Sequence, residues 1–335
     1  MTTSRILPRR RLGKSGPEVP ALGFGLMGLS AFYGKPESDE ERFKTWIELT
    51  IWAKPDLVGK WFARTGKRSE IFLATKFAAR VVGEGEQMKR IVDSTPEYCK
   101  QACEKSLKRL GVEQIDSYYC HRVDQKTPIE KTIEAMVELK KEGKIKYLGL
   151  CEISSDTLRR ACKIHHIDAV QIEYSPFSIE VEQPQFNLLN TCRELGVATV
   201  AYSPLGRGML TGMYKSADDF EEGDSRRFLP RFSTENFAKN LKLVNGLVSL
   251  AKKKGCTSGQ LTLAWLLAQG DDIIPIPGTK KIKYLEENIG SLDVNLNSDE
   301  LQEIRQLIEG AEVHGTRYPE ATMASLFADT PELEA

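Results

Sequence analysis

The chain has 335 residues, 41% hydrophobic and 28% charged, the balance of an ordinary soluble globular protein. Lys plus Arg equals Asp plus Glu, 47 against 47, so neither nucleic acid nor an anionic membrane is indicated as a partner. No apolar run approaches the ~20 residues of a membrane span, which leaves a small molecule as the default partner.

In chain order, residues 1–20 are polar and basic, with no apolar core of signal-peptide length. The run Arg9-Arg10-Arg11 reads as a solvated strand edge. Residues 10–12 and 18–20 flank Lys14-Ser15-Gly16, which predicts a hairpin within 8–20 that caps the floor of a barrel. Residues 21–25 follow as the first barrel strand. Further strands are predicted at 71–76 (IFLATK), 115–121 (IDSYYCH), 146–151 (KYLGLC), 169–173 (AVQIE), 198–202 (ATVAY) and 273–276 (IIPI).

Between these strands lie amphipathic helices with readable ends. Residues 96–110 carry Ser94 and Thr95 as N-cap candidates, Pro96 early and Gly111 as a stop. Helices at 128–142, 185–195, 243–254 and 257–269 stop at Gly143, Gly196, Gly255 and Gly270. Strand, helix, glycine and strand in repetition imply a parallel sheet. The length exceeds the ~250 residues of a plain (β/α)8 TIM barrel but fits one barrel domain over 1–335. Residues 214–240 are charged and irregular and are expected to form a loop over the mouth, and 310–335 a C-terminal tail.

Gly23, Gly25 and Gly28 fit GxGxxG, yet Gly34 and Pro36 follow where a dinucleotide-binding helix would have to begin. The motif reads as a glycine-rich loop. The seven cysteines (Cys99, Cys103, Cys120, Cys151, Cys162, Cys192, Cys256) show no CxxC pair or zinc-finger spacing and read as reduced thiols of a cytoplasmic protein. His165 and His166, at a helix end, read as surface polar residues, so no metal is expected.

Polar residues gather at the predicted C-terminal strand ends, where barrels build their sites. These are Lys76, His121, Gln171 with Tyr174, Ser203, and Gly278-Thr279-Lys280. Each has a plainer reading: a snorkelling lysine, a hydrogen-bonded core histidine, a packing tyrosine, an ordinary helix cap. Their joint placement on one face favours a site.

The stretches RRLGKSGPEVPALGFGLMGLS, ATKF, YCHRVD, QIEYSPF, YSPLGRGML, PIPGTKKIKYLEENIGSL and HGTRYPE resemble the aldo-keto reductase family, microbial and fungal branch, over nearly the whole chain. The resemblance implies a carbonyl-reducing oxidoreductase using NADPH and a small aldehyde or ketone. It implies Lys76 and His121 as catalytic residues. Cys151, Glu152, Gln171 and Tyr174 would lie beside the nicotinamide, with Tyr174 as the stacking ring. Ser203, Leu205 and Gly206 match the pyrophosphate loop, and Gly278, Thr279, Lys280, Tyr284, Glu287 and Asn288 the adenosine end. Lys280 at a helix N-terminus would clamp a 2′-phosphate, favouring NADPH over NADH.

Two departures stand out. At Cys151 the family usually has Ser, a better hydrogen-bond donor, and this thiol reads as buried and inert. The family also places a catalytic Asp and Tyr in a DTADxYG-like stretch that is missing here. Residues 39–44 open a first helix and a second resumes at Asp56, while 45–55 contain neither Tyr nor Asp. Residues 48–52 would supply a second strand, or 39–53 would stay helical and leave a gap. Tyr119, two residues before His121, would share its inward face one layer deeper. Lys76, desolvated and without its Asp, is the candidate replacement acid. The alternative readings are a catalytically impaired NADPH-binding barrel acting as sensor or partner, and a sequence that lacks its catalytic segment.

Overall fold

The computed structural model describes residues 6–29, 33, 51–52, 55–83 and 89–334. Eight parallel strands form the central sheet. They are β3 (Phe24–Gly25), β4 (Ile51–Trp52), β5 (Leu73–Phe77), β8 (Ile115–Cys120), β9 (Ile145–Cys151), β10 (Ala169–Glu173), β11 (Ala198–Tyr202) and β12 (Ile273–Pro275). The first and last meet through Gly23 N–H to Pro275 O and Gly25 N–H to Pro277 O, both 2.9 Å, which closes the sheet into a barrel. Glycine is needed at this seam: a Cβ on Gly278 would stand 2.3 Å from the Gly25 carbonyl oxygen.

The second strand exists. Ile51 and Trp52 pair with Phe24 and Gly25 on one side and with Leu73 and Ala74 on the other. The expectation that 39–53 stay helical therefore fails at Ile51–Trp52, while residues 39–50 lie outside the described ones. Two residues suffice because both neighbouring strands offer their backbone groups at that level.

An antiparallel hairpin, β1 (Arg9–Arg11) with β2 (Glu18–Pro20), covers the floor and buries Leu12 and Val19 against the barrel interior. Arg10 is not a solvated edge residue. Its guanidinium donates to the carbonyls of Leu267 (2.7 Å), Gly270 (2.8 Å) and Ile273, tying the hairpin to the end of the helix Ser258–Leu267 and the start of β12. A second hairpin, β6 (Ala79–Val82) with β7 (Lys89–Val92), extends from β5.

Buried apolar residues fall into two layers. Ala74, Tyr119, Cys151, Ala169, Ala198, Val200 and Ile274 fill the barrel. Leu148, Leu150, Val170, Ile172 and Tyr174, from alternate positions, pack between strands and helices. Inside, the Tyr119 ring occupies the space of a missing side chain at Gly149, where a Cβ would stand 2.3 Å from the ring.

The helix Pro96–Leu110 has the expected ends: Thr95 accepts from Tyr98 N–H at 3.3 Å, and Gly111 closes it at φ 64°. The expected loop over 214–240 is shorter than its composition suggested. Ser233 caps a helix over Thr234–Lys254 whose Phe237 and Asn240 are buried, so the irregular excursion ends at residue 233. The C-terminal tail expected over 310–335 is fastened to the barrel among its described residues. Arg317 is 3% exposed, and Ala328 N–H bonds to the Glu152 carbonyl at 2.9 Å.

Gly149→Ala is expected to over-pack the barrel interior and cost about 1–3 kcal/mol, read as a lowered Tm. Tyr119→Leu in the same chain should recover most of the loss; no recovery would show that the penalty comes from elsewhere.

Candidate active site

Strand alternation sends every second side chain inward, and the last inward position of each strand reaches the C-terminal mouth. Ala74 leads to Lys76, Tyr119 to His121, Ala169 to Gln171 and Glu173, and Val200 to Tyr202. Lys76 Nζ donates to Gln171 Oε1 at 2.5 Å across the barrel. Gln171 Nε2 is buried with no hydrogen-bond partner among the described residues. A buried unsatisfied amide N–H is costly, and it stands ready for an acceptor on a bound molecule.

His121 continues the β8 ladder, its N–H bonding to Phe77 O at 3.0 Å. Burial, then Lys76, Arg122 and Arg90, hold its pKa well below the ordinary histidine value. Its imidazole is therefore neutral near pH 7 and keeps an N–H to donate. Burial also lowers the Lys76 ammonium, opposed by Cys151 and reinforced by Arg122. Cys151 is buried inside the barrel and its thiol pKa is raised, chiefly by desolvation, which suits an inert thiol.

Tyr174 lies elsewhere than expected. Gln171 points inward, so a residue three further along points outward. The Tyr174 ring is fully buried between strand and helix, edge-on to Trp265 at 6.0 Å, and its hydroxyl donates to Glu182. It cannot stack on a molecule in the mouth. The inward aromatic ring at the end of β11 is Tyr202, whose hydroxyl donates to Glu152 Oε1 at 2.7 Å and lies 3.4 Å from the Tyr318 hydroxyl. The parity of ATVAY, two residues beyond inward Val200, was the sequence signal for it.

Glu152 is also occupied. At φ 51° and fully buried, it takes a two-point contact from Arg317 (3.2 and 3.1 Å) besides Tyr202 and the Glu173 N–H. Its carboxylate fixes Tyr202 and the C-terminal segment and presents nothing to the mouth, contrary to the expected contact with a nicotinamide. Beside it, Glu173 pairs with Arg207 at 3.3 Å and lies 3.8 Å from Arg317. Burial alone would raise the Glu173 carboxyl, but Arg207, Arg317 and Arg231 hold it below the ordinary range.

The loop after β11 bends through left-handed residues Ser203 (φ 49°), Gly206 (55°), Arg207 (57°) and Gly208 (93°). They close a tight loop in which Gly206 N–H bonds to the Ser203 carbonyl at 2.9 Å and Gly208 N–H to the Leu205 carbonyl at 3.0 Å. The excursion over the mouth is pinned to it by Arg226. That guanidinium donates two hydrogen bonds to the Asp224 carboxylate (2.7 and 3.0 Å) and one to Arg207 O at 2.9 Å, and lies over the rings of Phe220, Tyr214 and Tyr33.

At the far end, Gly278-Thr279-Lys280 precedes the helix Ile282–Gly290, whose N-cap Lys281 makes no side-chain cap bond. Lys280 Nζ donates to the Tyr33 carbonyl, joining the first and last loops. Of the residues expected at this end, Tyr284 is half-buried, Glu287 accepts from Thr257 Oγ1 at 2.6 Å, and Asn288 is buried with its carbonyl accepting from Ser291. Among the described residues no helix is long and apolar enough to cross a membrane.

Residues 54–309 match the profile described as the Aldo/keto reductase family. Similar sequences include Aldo-keto reductase str7 of Strobilurus tenacellus, 51% identical over 344 aligned positions that cover 98% of this chain and 99% of that protein. Aldo-keto reductase yakc, named for NADP(+), of Schizosaccharomyces pombe is 47% identical over 341 positions, covering 98% and 99%. In structure, the chain resembles the glycerol dehydrogenase AKR11B4 of Gluconobacter oxydans, with TM-score 0.79 at 24% identity over 92% of this chain and 97% of that one. It also resembles the thermostable aldo-keto reductase Tm1743, solved with the inhibitor epalrestat, with TM-score 0.69 at 25% identity over 90% and 100%.

Arg317→Leu should leave Glu152 buried and unpaired, costing about 3–5 kcal/mol in denaturant unfolding. Glu173 adds a pH term. Its folded pKa is depressed, so its contribution is complete above the ordinary value of 4.5 and is lost only as pH falls through the lower folded value. Wild-type stability should therefore decline with acid mainly below the usual carboxylate range; a decline centred well above it would contradict this account.

Proposed function

The chain belongs to the aldo-keto reductase family, and from that premise we propose that it reduces an aldehyde or ketone to the alcohol with NADPH, using Lys76 and His121. The observation that carries the reading is the inward convergence of Lys76, His121 and Gln171, with Gln171 Nε2 unfilled among the described residues. When bound, NADPH supplies the hydride. The residues fit that cofactor. Gln171 Nε2 offers a donor for a carboxamide, Tyr202 a ring for a nicotinamide face, residues 203–208 a cradle for pyrophosphate, and Lys280 a cation near a helix N-terminus for the 2′-phosphate. Thr279, Gly278, Tyr284, Glu287 and Asn288 border that end.

His121, neutral, donates its N–H to the carbonyl oxygen and orients it. Lys76 stabilises the negative charge that develops on that oxygen and gives up the proton. A lysine with a lowered pKa is a better acid than an ordinary one. This route matters because 45–55 hold no tyrosine, and the mouth tyrosines Tyr33, Tyr202 and Tyr318 belong to the Glu173–Arg207 side. The free thiols suit a cytoplasmic location.

A second reading is a barrel that binds NADPH without turnover, or a sequence lacking its catalytic segment. The family match starts at residue 54, next to the stretch without Tyr and Asp. The alignment with the Strobilurus relative is 344 positions long, more than the 335 residues here, so that relative carries residues this chain lacks.

NADPH oxidation with a reactive aromatic aldehyde separates the readings. Lys76→Met and His121→Ala should each lower kcat by about 10²–10⁴-fold while fluorescence titration still detects NADPH binding. Wild-type binding without turnover would select the second reading. The rate should fall as pH rises through the depressed Lys76 pKa, because the ammonium is the acid. No inflection should appear near the ordinary histidine value of 6.5. Tyr202→Ala should raise the NADPH Kd about 5–100-fold if its ring carries the nicotinamide, by analogy with aromatic stacking on bases; an unchanged Kd would remove it from that role.

A further inference from the structure

One cation of the mouth has no role in the mechanism above. Arg122 directly follows His121 and is half-buried. Its guanidinium donates to the His121 carbonyl at 2.6 Å, and no carboxylate lies within 4 Å of it among the described residues. The acids nearby are engaged: Glu152 by Arg317 and Tyr202, Glu173 by Arg207. The other groups facing Arg122 are Lys76, Cys151, Tyr202 and Tyr318, none of them a carboxylate. Its proximity is close enough to depress both Lys76 and His121.

Burial opposes the Arg122 charge, but Tyr202, Glu152, Tyr318 and Cys151 outweigh it and hold its pKa above the ordinary value; with one backbone hydrogen bond among the described residues, the guanidinium keeps N–H donors for a further acceptor. Nearly every other arginine of the mouth meets an acid: Arg207, Arg226, Arg231 and Arg317 each have one within 4 Å. The phosphate-binding features proposed above lie after β11 and before the helix Ile282–Gly290, whereas Arg122 follows β8, at the end where the carbonyl is held. Guanidinium geometry matches a planar carboxylate in a two-point contact.

We infer that Arg122 anchors a carboxylate of the substrate, so that the preferred carbonyl compound is an oxo acid or a carboxylated aldehyde. The carbonyl half of this statement rests on the reductase reading; the carboxylate half rests on Arg122. The anion would meet the guanidinium one residue from the histidine that orients the carbonyl, fixing both ends of a small substrate.

The test compares 4-carboxybenzaldehyde with its neutral methyl ester in wild type, Arg122→Leu and Arg122→Lys, with thermal melts to verify folding. Wild type should favour the acid in kcat/KM by about 10–100-fold, mostly through KM. Arg122→Leu should bring the ratio near unity, and Arg122→Lys should keep part of it. A wild type that turns over both aldehydes without preference, or a preference that survives Arg122→Leu, overturns the proposal and leaves the reductase reading standing. Binding of benzoate against benzamide, measured by calorimetry on NADP+-loaded protein, decides the same point without turnover. Benzoate bound by wild type and lost in Arg122→Leu upholds the anchor even if no aldehyde is reduced, an outcome that would count against the reductase reading alone. Equal binding of both compounds overturns it, as does a loss in Arg122→Leu confined to cofactor affinity.

Discussion

The alternation of side chains along the barrel strands is the constraint on which the rest depends. A parallel barrel can hold only so much inside, and here small residues share the space with one large ring: Tyr119 fits because Gly149 faces it and Ala74, Ala169 and Ala198 share its layers. The same parity that packs the interior delivers Lys76, His121, Gln171, Glu173 and Tyr202 to one end. Interior and site are thus consecutive layers of a single set of inward columns. A register slip of one residue would exchange Lys76 for Phe77 and Tyr202 for Ala201, dissolving core and site together.

A buried charge network then sets the shape of the mouth. Glu152 and Glu173, on neighbouring strands, would be costly without partners. Arg317 of the C-terminal segment and Arg207 of the loop after β11 pair with these two carboxylates, and Arg231 of the excursion over the mouth joins them through Ser178, Glu180 and the Gly315 carbonyl, so three distant pieces of chain meet at one end of the barrel. This is why neither the excursion nor the C-terminal segment is loose. Arg226 repeats the device in the outer wall, where Asp224 and three aromatic rings surround one guanidinium.

The region after the first strand is where local sequence and barrel requirements meet most narrowly. Among the described residues Ile51 and Trp52 bridge the first and third barrel strands, and the closure at Gly23, Gly25 and Gly278 is formed. Closing a barrel needs a continuous ring of backbone pairing, and a two-residue strand provides it. Building a complete catalytic set needs particular side chains, and residues 45–55 supply neither Tyr nor Asp. Fold and chemistry thus have separate requirements at this point.

By itself the sequence determined the barrel, most strand and helix limits, and the positions of Lys76, His121 and Gln171. Periodicity, caps and glycine stops are local signals, and strand ends in a β/α repeat share one face. It also contained the parity that puts Tyr174 outside and Tyr202 inside, although motif resemblance pointed to the wrong tyrosine. Only the tertiary structure decided that Glu152 serves Arg317, that Arg10 caps a helix 257 residues away in sequence, and that residues 234–240 are helical. Those outcomes depend on which buried charge or carbonyl meets which partner across the fold, and no local pattern of residues records that distance.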